Sequence, residues 1–252
     1  MNYKFPYGLV SIVMPAYNAA STIKDSVSSV LNQSYGNFEL LIVDDCSSDS
    51  TQKILRELSD QDERIKVMRL DFNKGVAEAR NLAIRYAKGK YIAFLDSDDV
   101  WLPEKLNKQL SLMLEMNCFV STSAYYRFRV LGNWICISSP PRKIDYKLLL
   151  RGNVIGNLTG IYDCESIGKI YQKSIRHEDY LMWLEIISRA GNVCAVYEPL
   201  AAYRITENSL SANKFKSVFW TWEIYRYHLG LSIYYSIFLM FNYIIKAFLK
   251  RY

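Results

Sequence analysis

Short apolar runs and amphipathic stretches take turns along the N-terminal part of the chain. Residues 9–14 form a β-branched apolar run stopped by Pro15, which predicts a first strand. Residues 19–31 place Ile23, Val27, Val30 and Leu31 at helical spacing, with Ser21 as a candidate cap. Residues 38–43 read as a second strand that stops at Asp44 and Asp45. Residues 50–58 read as a helix with Asp49 at its N-cap. A third strand is expected over 65–70, an Ala-rich helix over 75–87 ended by Gly89, and a fourth strand over 91–95. Strand and helix alternate with short connections, which predicts a parallel sheet with helices on both faces.

The pattern loosens downstream. Residues 103–116 look helical, with Pro103 in the first turn. Residues 119–129 and 134–138 read as strands of an antiparallel excursion, 178–190 as an amphipathic helix, and 193–203 as another strand. No composition shift marks a boundary before about residue 212, so the chain divides into a main domain over 1–212 and a helical tail over 213–252. Within the main domain, the regular alternation over 9–100 gives way to a less regular half over 101–212. Residues 229–245 carry no charge, yet Ser232, Tyr234, Tyr235, Ser236, Asn242 and Tyr243 interrupt the apolar run, and Lys246, Lys250 and Arg251 follow. A spanning helix needs roughly 17–25 residues, so this run is at the short limit. Tyrosines and cations belong to the membrane–water boundary. The tail is therefore expected to lie on a bilayer surface, or to pack on the protein as an ordinary helix.

Composition narrows the class. With 252 residues, half of them hydrophobic and 22% charged, the chain can bury one sizeable α/β core. A net charge of +6 suits anionic small molecules or an anionic membrane, and no Lys/Arg block reads as a nucleic-acid element. The two histidines argue against a His-based zinc site. Five cysteines without CxxC spacing read as buried free thiols in a reducing cytosol. The first residues lack the apolar stretch of a signal peptide.

The strongest chemical signal is YIAFLDSDDVW at 91–101. An apolar run ends in Asp96, Asp98 and Asp99, at the strand edge where open α/β sheets bind ligands. Carboxylates this close repel unless a cation or hydrogen bonds hold them. A divalent ion on hard oxygen ligands, Mg²⁺ or Mn²⁺, explains them, and so does an acidic turn that caps the next helix.

The ordered motifs over about 9–212 resemble inverting glycosyltransferases of family 2. That family has the GT-A fold, a Rossmann-like α/β sandwich with a mixed central sheet, here followed by C-terminal helices, and the resemblance implies a nucleotide-sugar half over about 9–100 and an acceptor half over about 101–212. VSIVMPAYN at 10–18 resembles the family's first strand end and implies that Pro15, Ala16 and Tyr17 line the nucleotide pocket. IVDDCSSDST at 42–51 resembles D-D-x-S-x-D-x-T, with Asp44, ahead of Asp45, as the base contact, and Cys46 where the family usually has Gly. NKGVAEARN at 73–81 resembles N-x-G-x-x-x-A-R-N, which implies a donor contact by Arg80, a salt bridge to a neighbouring Asp, or both. The D-x-D resemblance implies metal ligation by Asp98 with Asp96, donor contact by Asp96 and Ser97, and an undecided part for Asp99.

RHEDYLMW at 176–183 resembles E-D-x-x-x-W. It implies Asp179 as catalytic base, Glu178 as its positioning partner, and Trp183 as an apolar floor for the acceptor sugar. The other reading of these residues is an acidic helix start with Trp183 in the core. YRITENSLS at 203–211 resembles Y-R-x-H-x-x-S-x-S, which implies Arg204 and Ser209 at the diphosphate. It departs at Thr206, where many relatives carry a histidine, so a third metal ligand is left open.

Together these imply a Mn²⁺- or Mg²⁺-dependent transfer of sugar from a UDP-sugar to a saccharide acceptor. The acceptor would be lipid-diphosphate-linked, as in O-antigen, capsule or exopolysaccharide assembly at the cytoplasmic face of a membrane. A non-catalytic nucleotide-sugar-binding module and a nucleotidyltransferase are the alternatives. The second would want a Gly- or Lys-rich phosphate loop that 10–20 does not supply.

Overall fold

A computed structural model of the chain describes residues 7–205 and 214–249, so Thr206 and Ser209 lie outside the described residues. Four parallel strands form its first half: β1 Val10–Ala16, β2 Phe38–Asp44, β3 Ile65–Arg69 and β4 Tyr91–Phe94. They are ordered β3-β2-β1-β4. The intervening helices are α1 Ile23–Leu31, α2 Thr51–Gln61 and α3 Val76–Tyr86.

Alternation along the strands sends side chains to two cores. Ile12, Met14, Leu40 and Ile42 meet Ile23, Val27 and Val30 of α1. Val13, Leu41 and Val43 meet Ala79, Ala83 and Ile84 of α3. A sheet buried on both faces needs near-continuous apolar strands, which β1 and β2 supply.

Past β4 the sheet becomes mixed. The remaining elements are β5 Val100–Trp101, α4 Lys105–Glu115, β6 Val120–Phe128, β7 Trp134–Ser138, α5 Tyr146–Leu149, β8 Ile161–Asp163, α6 Cys164–Ile167, α7 Glu178–Ala190 and β9 Cys194–Arg204. The order continues β4-β8-β6-β9-β5, with β7 hanging from β6 as the expected antiparallel excursion. β8 runs antiparallel to β4 and β6, while β6 and β9 are parallel. Behind β5, Lys105 is fully buried in α4 with its ammonium 4.1 Å from the Trp101 ring centroid and no hydrogen-bond partner. Burial pushes its pKa down to about 7.

The described residues end with α8 Lys214–Glu223, a π-helical turn Ile224–His228 and α9 Ile233–Leu249. Ile224, Tyr225, Leu239 and Met240 join the same core as α7, so the tail packs on the main body along one face. The opposite face of α9 leaves Tyr234, Ile237, Phe238, Phe241 and Ile244 exposed. The inner face of α9 thus meets the expectation of a helix packed on the protein. No helix among the described residues is long and apolar enough to cross a membrane. All five cysteines are free, but the expectation of burial fails for Cys136, which is exposed on β7, and Cys46, which is half-buried in a loop.

Candidate active site

The loops at the C-terminal edge of the parallel strands are knitted by hydrogen bonds. Asp45 accepts from the backbone N–H of Lys74 at 2.7 Å and of Gly75 at 2.8 Å. Gly75 has φ +87°, a conformation that costs glycine little, and α3 starts from it. Asn18 and Ser48 join the first two loops, with Asn18 Oδ1 accepting from Ser48 N at 2.9 Å. Asp49 accepts from Thr51 N at 2.9 Å and Ala20 N at 3.1 Å, which ties the start of α2 to the same region. Cys46 has φ +61°, which explains physically why glycine suits that position. Asp44 is fully buried; one oxygen accepts from Ser47 N at 3.1 Å, while Oδ2 has no hydrogen bond and lies 3.5 Å from Arg69 Nε.

The acidic loop after β4 is braced from β9. Pairing of β5 with β9 brings Arg204 to it. Arg204 N donates to Asp99 at 2.8 Å, its Nε to the Asp98 carbonyl at 2.7 Å and its Nη2 to Asp25 at 3.0 Å. Burial, then the neighbouring Asp96, pushes the Asp98 carboxyl up to about 6. Asp99 is raised well above the usual carboxylate range by burial and by Asp98 and Asp96. These carboxylates are short of countercharge.

Arg80 connects that loop to the second half of the chain. Its Nη2 donates to Asp96 at 2.6 Å, and its Nη1 to Glu178 at 3.1 Å and to Gln172 at 3.2 Å. Asn81 exchanges two hydrogen bonds with the Gln172 backbone, which fixes the strand of chain leading into α7. Beside Glu178, Asp179 accepts from Asn153 Nδ2 at 3.3 Å. Burial, then the Glu178 charge, pushes Asp179 up to about 6, against the pull of Arg80. A carboxylate poised near neutrality can take a proton from a hydroxyl. Asp179 lines two cavities, one of about 510 Å³ shared with Lys74–Ala77 and Trp220, and one of about 780 Å³ bounded by β6, α5 and α9.

The family model for glycosyl transferase family 2 matches residues 11–169. The chain belongs to this family. It is therefore a glycosyltransferase. It is 42% identical over 220 residues to TuaG of Bacillus subtilis, named for teichuronic acid biosynthesis, covering 86% of this chain and 87% of that one. It is 41% identical over 220 residues to WfgD of Escherichia coli, named a UDP-Glc:α-D-GlcNAc-diphosphoundecaprenol β-1,3-glucosyltransferase, covering 86% and 85%. The crystal structure of Staphylococcus aureus TarS 1–349 in complex with UDP-GlcNAc superposes with a TM-score of 0.72 at 20% identity, covering 93% of this chain and 71% of that one. The fold is GT-A, with the mixed central sheet that the motifs implied.

Within this glycosyltransferase, Pro15 and Ala16 end β1 and are buried, and Tyr17 stands half-exposed beyond them. Asp45 spends both oxygens on backbone donors, while Asp44 accepts from Ser47 N on Oδ1 and faces the Arg69 guanidinium with Oδ2. The Ser97 carbonyl accepts from Thr22 Oγ1 at 2.8 Å. Arg80 is almost wholly buried and holds carboxylates together, which is the salt-bridge reading of the motif.

Trp183 does not match the expectation of a sugar floor. It is 0% exposed, its ring packs edge-on against Phe94 and Tyr162, and a Cβ added at Gly160 would lie 2.1 Å from it. It is a core residue, the other reading of the motif. Sequence reasoning missed Asn153, Gln172 and Trp220, which reach the site from irregular segments and from α8 without motif or period.

Among the described residues, no group of three or more His, Cys, Asp or Glu is arranged to hold an ion. The donor set still fits a hard divalent cation. Asp96 and Asp98 repel each other, and Asp96 leaves Oδ2 free of the Arg80 contact. Mg²⁺ commonly takes only one or two carboxylates and completes its shell with waters and substrate phosphates.

Proposed function

We propose that this glycosyltransferase moves a sugar, with inversion, from a UDP-sugar to a hydroxyl of a lipid-diphosphate-linked saccharide in bacterial surface-polysaccharide assembly. The observation that carries it is the chain of contacts Asp96–Arg80–Glu178 beside Asp179, which joins the acidic loop to a base candidate at the junction of two cavities. The nucleotide would lie on Pro15, Ala16 and Tyr17, with Asp44 toward the base and Asp96 and Ser97 toward the ribose and phosphates. Asp98 and Asp96 would hold Mn²⁺ or Mg²⁺. A bound divalent ion supplies charge neutralisation for the departing diphosphate.

Asp179 accepts the proton of the acceptor hydroxyl as that oxygen forms its bond to the anomeric carbon. The bond from that carbon to the diphosphate oxygen breaks, and UDP leaves. Displacement is direct, with no covalent enzyme intermediate. Glu178, held by Arg80, positions Asp179 and keeps its proton affinity high. Arg204 holds the acidic loop through the Asp98 carbonyl, so its help to the diphosphate is chiefly indirect.

The exposed apolar face of α9, flanked in sequence by Lys246, Lys250 and Arg251, supports peripheral binding at the cytoplasmic surface of a membrane. The relatives' printed activities support the UDP donor and the lipid-linked acceptor.

The test is UDP release from a panel of sugar nucleotides with Mn²⁺ and a diphosphate-lipid-linked acceptor. Wild type turns over, and Asp179→Asn loses about 10²–10⁴ in kcat while retaining UDP affinity. Wild-type turnover in Asp179→Asn removes the assigned base. Donor binding without any transfer by wild type would instead favour a binding module.

A further inference from the structure

The larger cavity holds chemistry that proton transfer at Asp179 leaves unused. It runs from Asp179 to Arg127 on β6 and Arg151 just after α5. Neither arginine forms an ion pair with a carboxylate among the described residues. Asn157, in the same wall, accepts on Oδ1 from Trp183 Nε1 at 3.3 Å and leaves Nδ2 buried without a partner. A neutral saccharide has no need of two guanidinium groups. A phosphate does, because the planar fork matches its oxygens in pairs.

The cavity also reaches α9. Tyr243 lines it from α9, with its ring against Gly152. Tyr234, Ile237, Phe238, Phe241 and Ile244, spaced to share one helical face, are exposed on that helix. One helix therefore joins the cavity wall to an apolar surface.

Resting on the transfer reading above, we infer that this cavity is the acceptor site and that Arg127 and Arg151 grip the acceptor's diphosphate. The saccharide then lies between that anion and Asp179, with Asn157 Nδ2 offered to a sugar hydroxyl. The acceptor's chain departs along α9 toward the bilayer. The linking diphosphate, rather than the sugar alone, becomes the element that selects the acceptor.

Two probes separate the terms: N-acetylglucosamine joined through a diphosphate to a decyl chain, and decyl N-acetylglucosaminide, which lacks the diphosphate. Binding of each to the full chain is measured by titration calorimetry, alongside UDP affinity and binding to phosphatidylglycerol vesicles. Wild type prefers the diphosphate probe by about tenfold or more. The double variant Arg127→Gln/Arg151→Gln loses that preference, with UDP affinity and vesicle binding unchanged, and Arg127→Lys/Arg151→Lys keeps part of it. If the double variant loses UDP affinity, single Arg151→Gln, on an exposed turn, carries the same comparison. Absence of a preference in wild type, or its persistence in the variants, overturns the assignment. So does a loss of vesicle binding with the preference intact, which would give these arginines to phospholipid head groups. Failure of the transfer reading has a different signature: wild type binds the diphosphate probe yet turns over no donor.

Discussion

At the edge of the parallel strands, polar side chains are tied down by neighbouring backbone. Asp45 takes two N–H groups, Asp49 two more, and Arg204 grips the acidic loop by its carbonyl. Across the cleft, the walls built by β6, α5 and α9 carry cations without carboxylate partners among the described residues. Arg127 and Arg151 lack carboxylate partners among the described residues, and Asn157 Nδ2 lacks any hydrogen bond. The first region is preorganised, so little ordering remains to be done when a nucleotide arrives. The second keeps its binding capacity for whatever enters. On the proposed reading, a rigid donor side beside an open acceptor side would let one scaffold keep its reaction while its acceptor varies.

The contact that spans the two regions gives the largest expected effect. Arg80→Gln removes the cation shared by Asp96 and Glu178, so kcat should fall by about 10²-fold or more. Unfolding free energy should drop by about 3 kcal/mol, because buried charges lose their partner. UDP release and urea melts measure the two. Near-wild-type turnover would mean that the halves act independently.

A proton titration sharpens the contrast next. On the proposed mechanism Asp179 acts in its ionised form, and burial holds its carboxyl up at about 6. Its raised value means that the folded protein holds this proton at pH values where an ordinary aspartate has lost it. The kcat/KM profile should therefore fall by about tenfold per unit below that point and level off above it. Asn153→Ala removes a hydrogen bond to the ionised form and should move the limb upward by about a unit or less. A flat profile between pH 5 and 7, about the span of the expected limb, would exclude Asp179 as the base.

The smallest effect lies behind β5. Lys105 is neutral in the fold above pH about 7, while in the unfolded chain it keeps its proton to about 10.4. Between these values the unfolded state binds more protons, so stability should rise with pH across that window. Lys105→Met should add about 1 kcal/mol or more at pH 7 and abolish this rise. Urea melts at pH 7 and pH 9 check it; parallel curves for variant and wild type would show that Lys105 stays charged over the Trp101 ring.

The same contrast governs what could be read from the chain. In the parallel half, buried strands must be apolar throughout and must end where polar loops begin, so β1 to β4 and the carboxylates after them were visible as blocks. Helix ends were less exact: Ser21 lies before α1, whose N-cap position is Thr22. In the mixed half, β5 and β8 are only two and three residues long and leave no periodic trace. Asn153 and Gln172 reach the site from irregular segments, and only tertiary packing places them. Trp183 was misassigned because a tryptophan beside an acidic pair has the same letters whether it faces a sugar or a core.

Gly160 draws a last consequence from that buried indole. Any side chain there would drive into the tryptophan's six-membered ring, whose nearest carbon would be 2.1 Å away. The displaced ring would shove the helix bearing Asp179. A hydrogen atom far from any reacting group thereby becomes a condition for activity, and drift at this position should be blocked even to alanine.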